Sequence, residues 1–149
     1  MLLSFIGILI TGLQGFFQFN IYNANHIAFA FIPTILYMFT QTLIMFYFIG
    51  AGKKVKETII KHDLNKQIYQ DVIEIKRKMF PPLTLNMLFV GTAFILGGGV
   101  HTGLISKNFH SWLFIFSMLH LLYLMKLQDK GFKRTAEILS HIGELIKGK

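Results

Sequence analysis

The chain has 149 residues, 53% of them apolar and 15% charged, a formal net charge of +8 and a mean hydropathy of +0.53. A soluble domain carries roughly a quarter charged residues, so this composition excludes an ordinary water-soluble globule. Its basic residues sit between long apolar runs and not on one face of a soluble fold, which argues against nucleic acid as a partner. The absence of cysteine removes disulfides, thiolate zinc or iron–sulfur sites and covalent c-type haem attachment.

Four apolar segments, residues 2–19, 26–50, 83–100 and 109–125, each approach the roughly 20 residues that a helix needs to cross the hydrocarbon of a bilayer. They predict an all-α integral membrane protein, a four-helix transmembrane bundle forming one membrane domain over 1–149. The first segment is interrupted by Ser4, Thr11, Gln14 and Gln18. It has neither a basic leader nor a small-residue cleavage motif, so a retained span is expected and not a removed signal peptide. The amides that follow, Asn20, Asn23 and Asn25, suit an ordinary polar turn.

In the second segment, His26, Pro33, Tyr37 and Thr40 fall within about 60° of one another at 100° per residue, with Gln41 on the edge of that stripe. Pro33 is expected to kink the helix. Next, Ile60, Leu64, Ile68, Val72, Ile75 and Met79 recur at spacings of four and three, predicting an amphipathic helix over about 55–79 that Pro81 and Pro82 end. In the third segment Asn86, Ala93, Gly97 and His101 share one side, and Ala93-xxx-Gly97 is a small-xxx-small spacing that admits a close neighbour. The run Gly97-Gly98-Gly99 adjoins no strand and is no nucleotide-binding fingerprint. In the fourth, His110, Ser117 and His120 share an arc of about 80°. Beyond it Phe132, Leu139, Ile142 and Ile146 predict a second amphipathic helical extension over about 127–147. Lysines beside apolar stripes suit three arrangements: the extensions packed on each other, laid on an anionic membrane surface, or covered by a partner subunit. Simple solvated prolongations of the spans are the alternative.

Charge orients the chain. Of the 15 Lys and Arg residues, eight lie between Lys53 and Lys78 and six between Lys126 and Lys149, leaving only Lys107 elsewhere. The positive-inside rule then assigns residues 51–80 and both termini to the cytoplasm and the connections at 20–25 and 101–108 to the outside of a cell inner membrane. Tyr22, Phe109 and Trp112 are expected at the outer boundary, with Phe46, Tyr47 and Tyr123 at the inner one.

The histidines carry the functional expectation. His62 and His141 lie among cytoplasmic charges. His26, His101 and His110, separated by up to 84 positions, all reach the outer face because the helices alternate in direction. His120 lies about 15 Å deeper than His110. Neutral imidazoles on facing helices can serve as axial ligands of a b-type haem. Three in one layer can instead hold copper, zinc or iron, with Asn23, Asn25 or water completing the shell. His120 is a candidate for a second site, and a third alternative is no cofactor at all, the histidines bonding to headgroups and neighbouring helices. The layout resembles, in architecture alone, the haem b membrane anchors of respiratory complexes, and no motif of those anchors is present. The expected function is therefore a small membrane subunit that binds haem b or a metal through His26, His101 and His110, surrounded by lipid and other membrane subunits of an electron-transfer or oxidase complex. The alternative is a cofactor-free structural or assembly subunit. In either case catalysis by this chain alone is not expected.

Overall fold

The structure is a computed structural model describing residues 1–21 and 23–148. Tyr22, expected at the outer boundary, and Lys149 lie outside the described residues. Among the described residues four helices follow one another: α1 (Leu2–Phe17), α2 (His26–His62), α3 (Gln67–His101) and α4 (Lys107–Lys147). Three of them, α2, α3 and α4, are long and apolar enough to cross a membrane. At 1.5 Å per residue they run about 50–60 Å and overshoot a hydrocarbon layer about 30 Å thick. The 16-residue α1 reaches only about 24 Å.

Short turns with defined chemistry alternate the helix directions. Asn25 caps α2 by accepting a hydrogen bond from the Ala28 N–H at 2.9 Å, and Ser106 caps α4 by accepting from the Phe109 N–H at 3.3 Å. Each satisfies a donor that the first helical turn leaves open. Gln18 and Asp63 end α1 and α2 in the left-handed region, at φ 57° and 47°. After α3, Gly103 adopts φ 76°, the backbone region that glycine enters without a Cβ penalty. Along the bundle α2 packs on α1 and α3, and α3 packs on α4, while α2 and α4 touch only briefly.

Two apolar cores result. Across the apolar middle Tyr37, Ile44, Phe48, Met79, Leu83, Leu121 and Leu124 are buried together with Ile8 of α1. At the basic end Val55 and Ile59 of α2, Val72 of α3, and Ile138 and Ile142 of α4 form a separate core, flanked by Leu64, Ile68, Ile75, Leu139 and Ile146. Of the three arrangements open to the extensions, the structure has them packed on each other. Gly131 lets α4 approach the boundary between the cores, because a Cβ there would stand 3.3 Å from both Met79 Sδ and the Phe48 ring.

Two expectations about this end need correction. The single helix over 55–79 is broken at Asp63–Lys66, so residues 55–62 belong to α2 and 67–79 to α3. The stripe read as one face is two faces meeting. Val55 and Ile59 come from α2, Ile68, Val72 and Ile75 from α3, and Ile60 is 70% exposed. Asp63 supplies the left-handed turn, and the Asn65 side chain accepts from the Gln67 N–H at 2.8 Å. Pro81 and Pro82 do not end a helix, for α3 runs through both. An interior proline costs roughly 3 kcal/mol, but Met79 and Leu83 on either side are fully buried in the central core. Burial on both sides of the prolines opposes a break.

Candidate functional site

The polar stripes of the three long helices turn toward one another. Tyr37 donates its hydroxyl proton to Asn86 Oδ1, and Asn86 Nδ2 donates to the Ser117 carbonyl at 3.0 Å, linking α2, α3 and α4. About one turn further along α2 toward the basic end, Gln128 Nε2 donates to Gln41 Oε1 at 2.6 Å. Ser4 and Thr40 join α1 to α2 at 2.7 Å. The only Thr40 hydroxyl proton goes to the Leu36 carbonyl, so Ser4 is the donor in that pair. These bonds join helix to helix in the bundle interior.

At that end two of the three expected imidazoles converge. His26 opens α2 and His110 lies in the first turn of α4. Their ring centroids are 6.3 Å apart with the planes at 71°. Each ring rests on a glycine. A Cβ on Gly15 would stand 2.9 Å from His26 Cε1, and one on Gly97 would stand 3.4 Å from His110 Cε1. Two histidines thus dock in the same manner on two different helices. The Nδ1 atoms of both are buried without a hydrogen-bond partner, as are His120 Nδ1, Gln14 Oε1 and Thr135 Oγ1.

The pair stands between two cavities. A small one of about 40 Å³ reaches inward past Thr11, Ala30, Thr34, Val90 and Ala93. A larger one of about 270 Å³ opens outward past Gly12, Gly15, Phe16, Gln18, Lys107 and Ser111. His26, Gly97, His110 and Phe114 line both.

His101 does not join them. It is the exposed last residue of α3 and lines neither cavity. The following loop folds back, with Leu104 N–H donating to the Gly99 carbonyl and Ile105 covering Gly99, while the His101 ring stays in the open. His120 departs from its expected inward position. It lies half-buried along α4, edge-on to Phe89 and beside Tyr123, with Nδ1 buried and unpartnered. Among the described residues no group of three or more His, Cys, Asp or Glu is placed to hold a metal ion. Asn23 and Asn25 line neither cavity, and Asn25 is engaged as the α2 cap.

Sequence reasoning missed the contribution of α1. Gly12 and Gly15 give it a bare face over the site, and a Cβ on Gly12 would collide with the Phe114 ring at 2.3 Å. The Gly12-xx-Gly15 spacing was the available signal, but small residues on a short helix do not say which neighbour they admit. Comparison of the chain with protein-family models, with curated proteins and with solved structures finds no match.

Proposed function

We propose that the chain is a small inner-membrane subunit that holds a b-type haem between His26 and His110 near the outer face, within a larger electron-transfer or oxidase assembly. The observation that carries this reading is the spacing of the pair. The rings come from different helices and stand 6.3 Å apart, so His26 and His110 would be the residues that hold the haem iron, which would supply one-electron chemistry there. Two converging imidazoles suit the axial positions of a haem better than a three-histidine shell for copper, zinc or non-haem iron. The unpartnered Nδ1 atoms and the bare backbones at Gly15 and Gly97 support a ligand at this point. A porphyrin is larger than either cavity, at about 40 and 270 Å³, so the pair would take one only if Phe114 or α1 moved aside. The distribution of Lys and Arg supports a cytoplasmic basic end with both chain termini on that side.

An absorption spectrum of the purified full chain, dithionite-reduced minus oxidised, tests the reading. A Soret band is expected, abolished or converted by His26→Ala and by His110→Ala, and retained by His101→Ala, His62→Ala and His141→Ala. A stoichiometric metal without a Soret band, lost on His26→Ala, would replace haem by a simple metal ion. Neither haem nor metal, with both variants silent, would leave a structural or assembly subunit.

A further inference from the structure

The basic residues around the second core are not equivalent. Among the described residues Lys76 is the one Lys or Arg that is half-buried, and all the others are exposed. The end of its side chain lies over the bare backbone of Gly52 on α2, where a Cβ would stand 2.9 Å from Nζ and 3.3 Å from both Cε and Val72 Cγ1. The nearby carboxylates are engaged elsewhere: Asp71 with Arg134 of α4, Glu74 with Lys78 and Glu57 with Lys53. Lys76, and Lys56 one turn beyond Gly52 on α2, form no ion pair among the described residues. Charge is thus balanced between α3 and α4, while the seam between α2 and α3 holds two ammonium groups that no carboxylate meets. The surface changes at the same place. Phe46 and Ile49 of α2 are 63% and 47% exposed, and the basic run begins at Lys53. At 100° per residue Ile49 and Lys56 lie within about 60° of Gly52, and Phe80 lies within about 40° of Lys76, so apolar side chains give way to basic ones along one seam.

We propose that the α2–α3 seam at Gly52 and Lys76 binds the phosphodiester of an anionic phospholipid, whose acyl chains run along Ile49 and Phe80. Phosphate oxygens accept charge-assisted hydrogen bonds from ammonium groups that have no carboxylate in this chain. They do so at the level where apolar surface ends and basic residues begin, the place at which a basic pocket between spans meets anionic headgroups. Gly52 leaves the room that a side chain would fill, and the half-buried position of Lys76 screens its charge less from the headgroup than that of an exposed lysine. This rests on α2, α3 and α4 as membrane spans and is independent of the haem.

The test is native mass spectrometry of the full chain in detergent, offered phosphatidylglycerol and phosphatidylcholine of the same acyl chains in equal amounts. Wild type is expected to retain phosphatidylglycerol in preference. Lys76→Met keeps an unbranched side chain over Gly52 and removes the charge. It is expected to weaken phosphatidylglycerol binding about five-fold, the contribution of one basic residue at an anionic surface, and to leave phosphatidylcholine unchanged. Lys76→Arg should restore the preference, and Lys130→Met, at an exposed lysine of α4, should lose clearly less than Lys76→Met. Equal losses in Lys76→Met and Lys130→Met would mean a diffuse attraction to the whole basic end and overturn the site, as would the absence of any preference in wild type. Inorganic phosphate bound with no phospholipid retained would assign a free anion and overturn the lipid. Lys76→Met should keep the absorption spectrum of wild type, so that loss of the lipid site leaves the haem reading standing. Recovery of wild type in the soluble fraction without detergent overturns the spans and this site together.

Discussion

At the basic end, Val55, Ile59, Val72, Ile138 and Ile142 close an aliphatic core among three helices, edged by Tyr69, whereas in the apolar middle the same helices are tied by Tyr37, Asn86, Ser117, Gln41 and Gln128. The difference follows from the medium that each stretch suits. Where helices carry lysines and carboxylates on their outer faces, water drives aliphatic side chains together, and no polar tie is needed. Where the outer faces are themselves apolar, as with Ile32, Phe39, Leu88 and Leu119, they suit lipid, which would offer little drive to associate and leave hydrogen bonds and small residues to position the helices. The chain uses the two schemes in series along single helices.

The largest expected effect breaks the water-side scheme. Val72→Asp puts an unpaired charge at a site that is 2% exposed and should cost about 4 kcal/mol or more. The measurable consequence is protease cleavage near Asp63–Lys66 with α2, α3 and α4 still held in detergent by the middle. Unchanged protease resistance would mean that the aliphatic core does not hold this end.

A smaller effect sharpens the account of the middle. Asn86→Ala removes the acceptor of Tyr37 and the donor to Ser117, at a cost of about 1–3 kcal/mol. Tyr37→Phe should then cost about 0.6–1.7 kcal/mol less in the Asn86→Ala background than in wild type, as read by unfolding of both singles and the double variant. Equal costs in the two backgrounds would show that packing alone holds the middle.

The smallest effect lies on the surface of the basic end. Lys78, 2.6 Å from Glu74, holds that carboxyl below its ordinary value through a hydrogen bond and charge attraction. A depressed carboxylate contributes stability above its unfolded pKa, about 4.3, and loses it as pH falls through the folded value. Lys78→Gln should therefore melt slightly below wild type at pH 7, and the difference should shrink as pH falls below about 4.3. A difference that persists in acid would assign the effect to something other than this pair.

How far the sequence carries differs between these regions in the same way. Within one helix, periodicity reports which side chains share a face, so the inward positions of Tyr37, Asn86, Ser117, Val72 and Ile142 were readable from spacing alone. The helical class, the three long apolar helices and the segregation of charge from hydrocarbon follow from composition and length, because each is a property of a contiguous run. The break at Asp63–Lys66 was less accessible, since Ile60, Leu64 and Ile68 continue a helical spacing through it. Only the packing of Val55 and Ile59 against Val72 makes two antiparallel faces better than one long helix. The prolines were misread for a related reason, as their local penalty is opposed by the buried Met79 and Leu83.

At the candidate site, the sequence by itself determined that His26 and His110 start helices pointing the same way and so arrive at a common level. Tertiary structure decided that His101 stays outside, that His120 sits at the α3–α4 edge, and that Gly12 and Gly15 of α1 close over the pair. Helical phase specifies direction about a single axis. Which residues meet depends on the lateral spacing of separate helices, and that spacing is set by side-chain volumes contributed from distant parts of the chain.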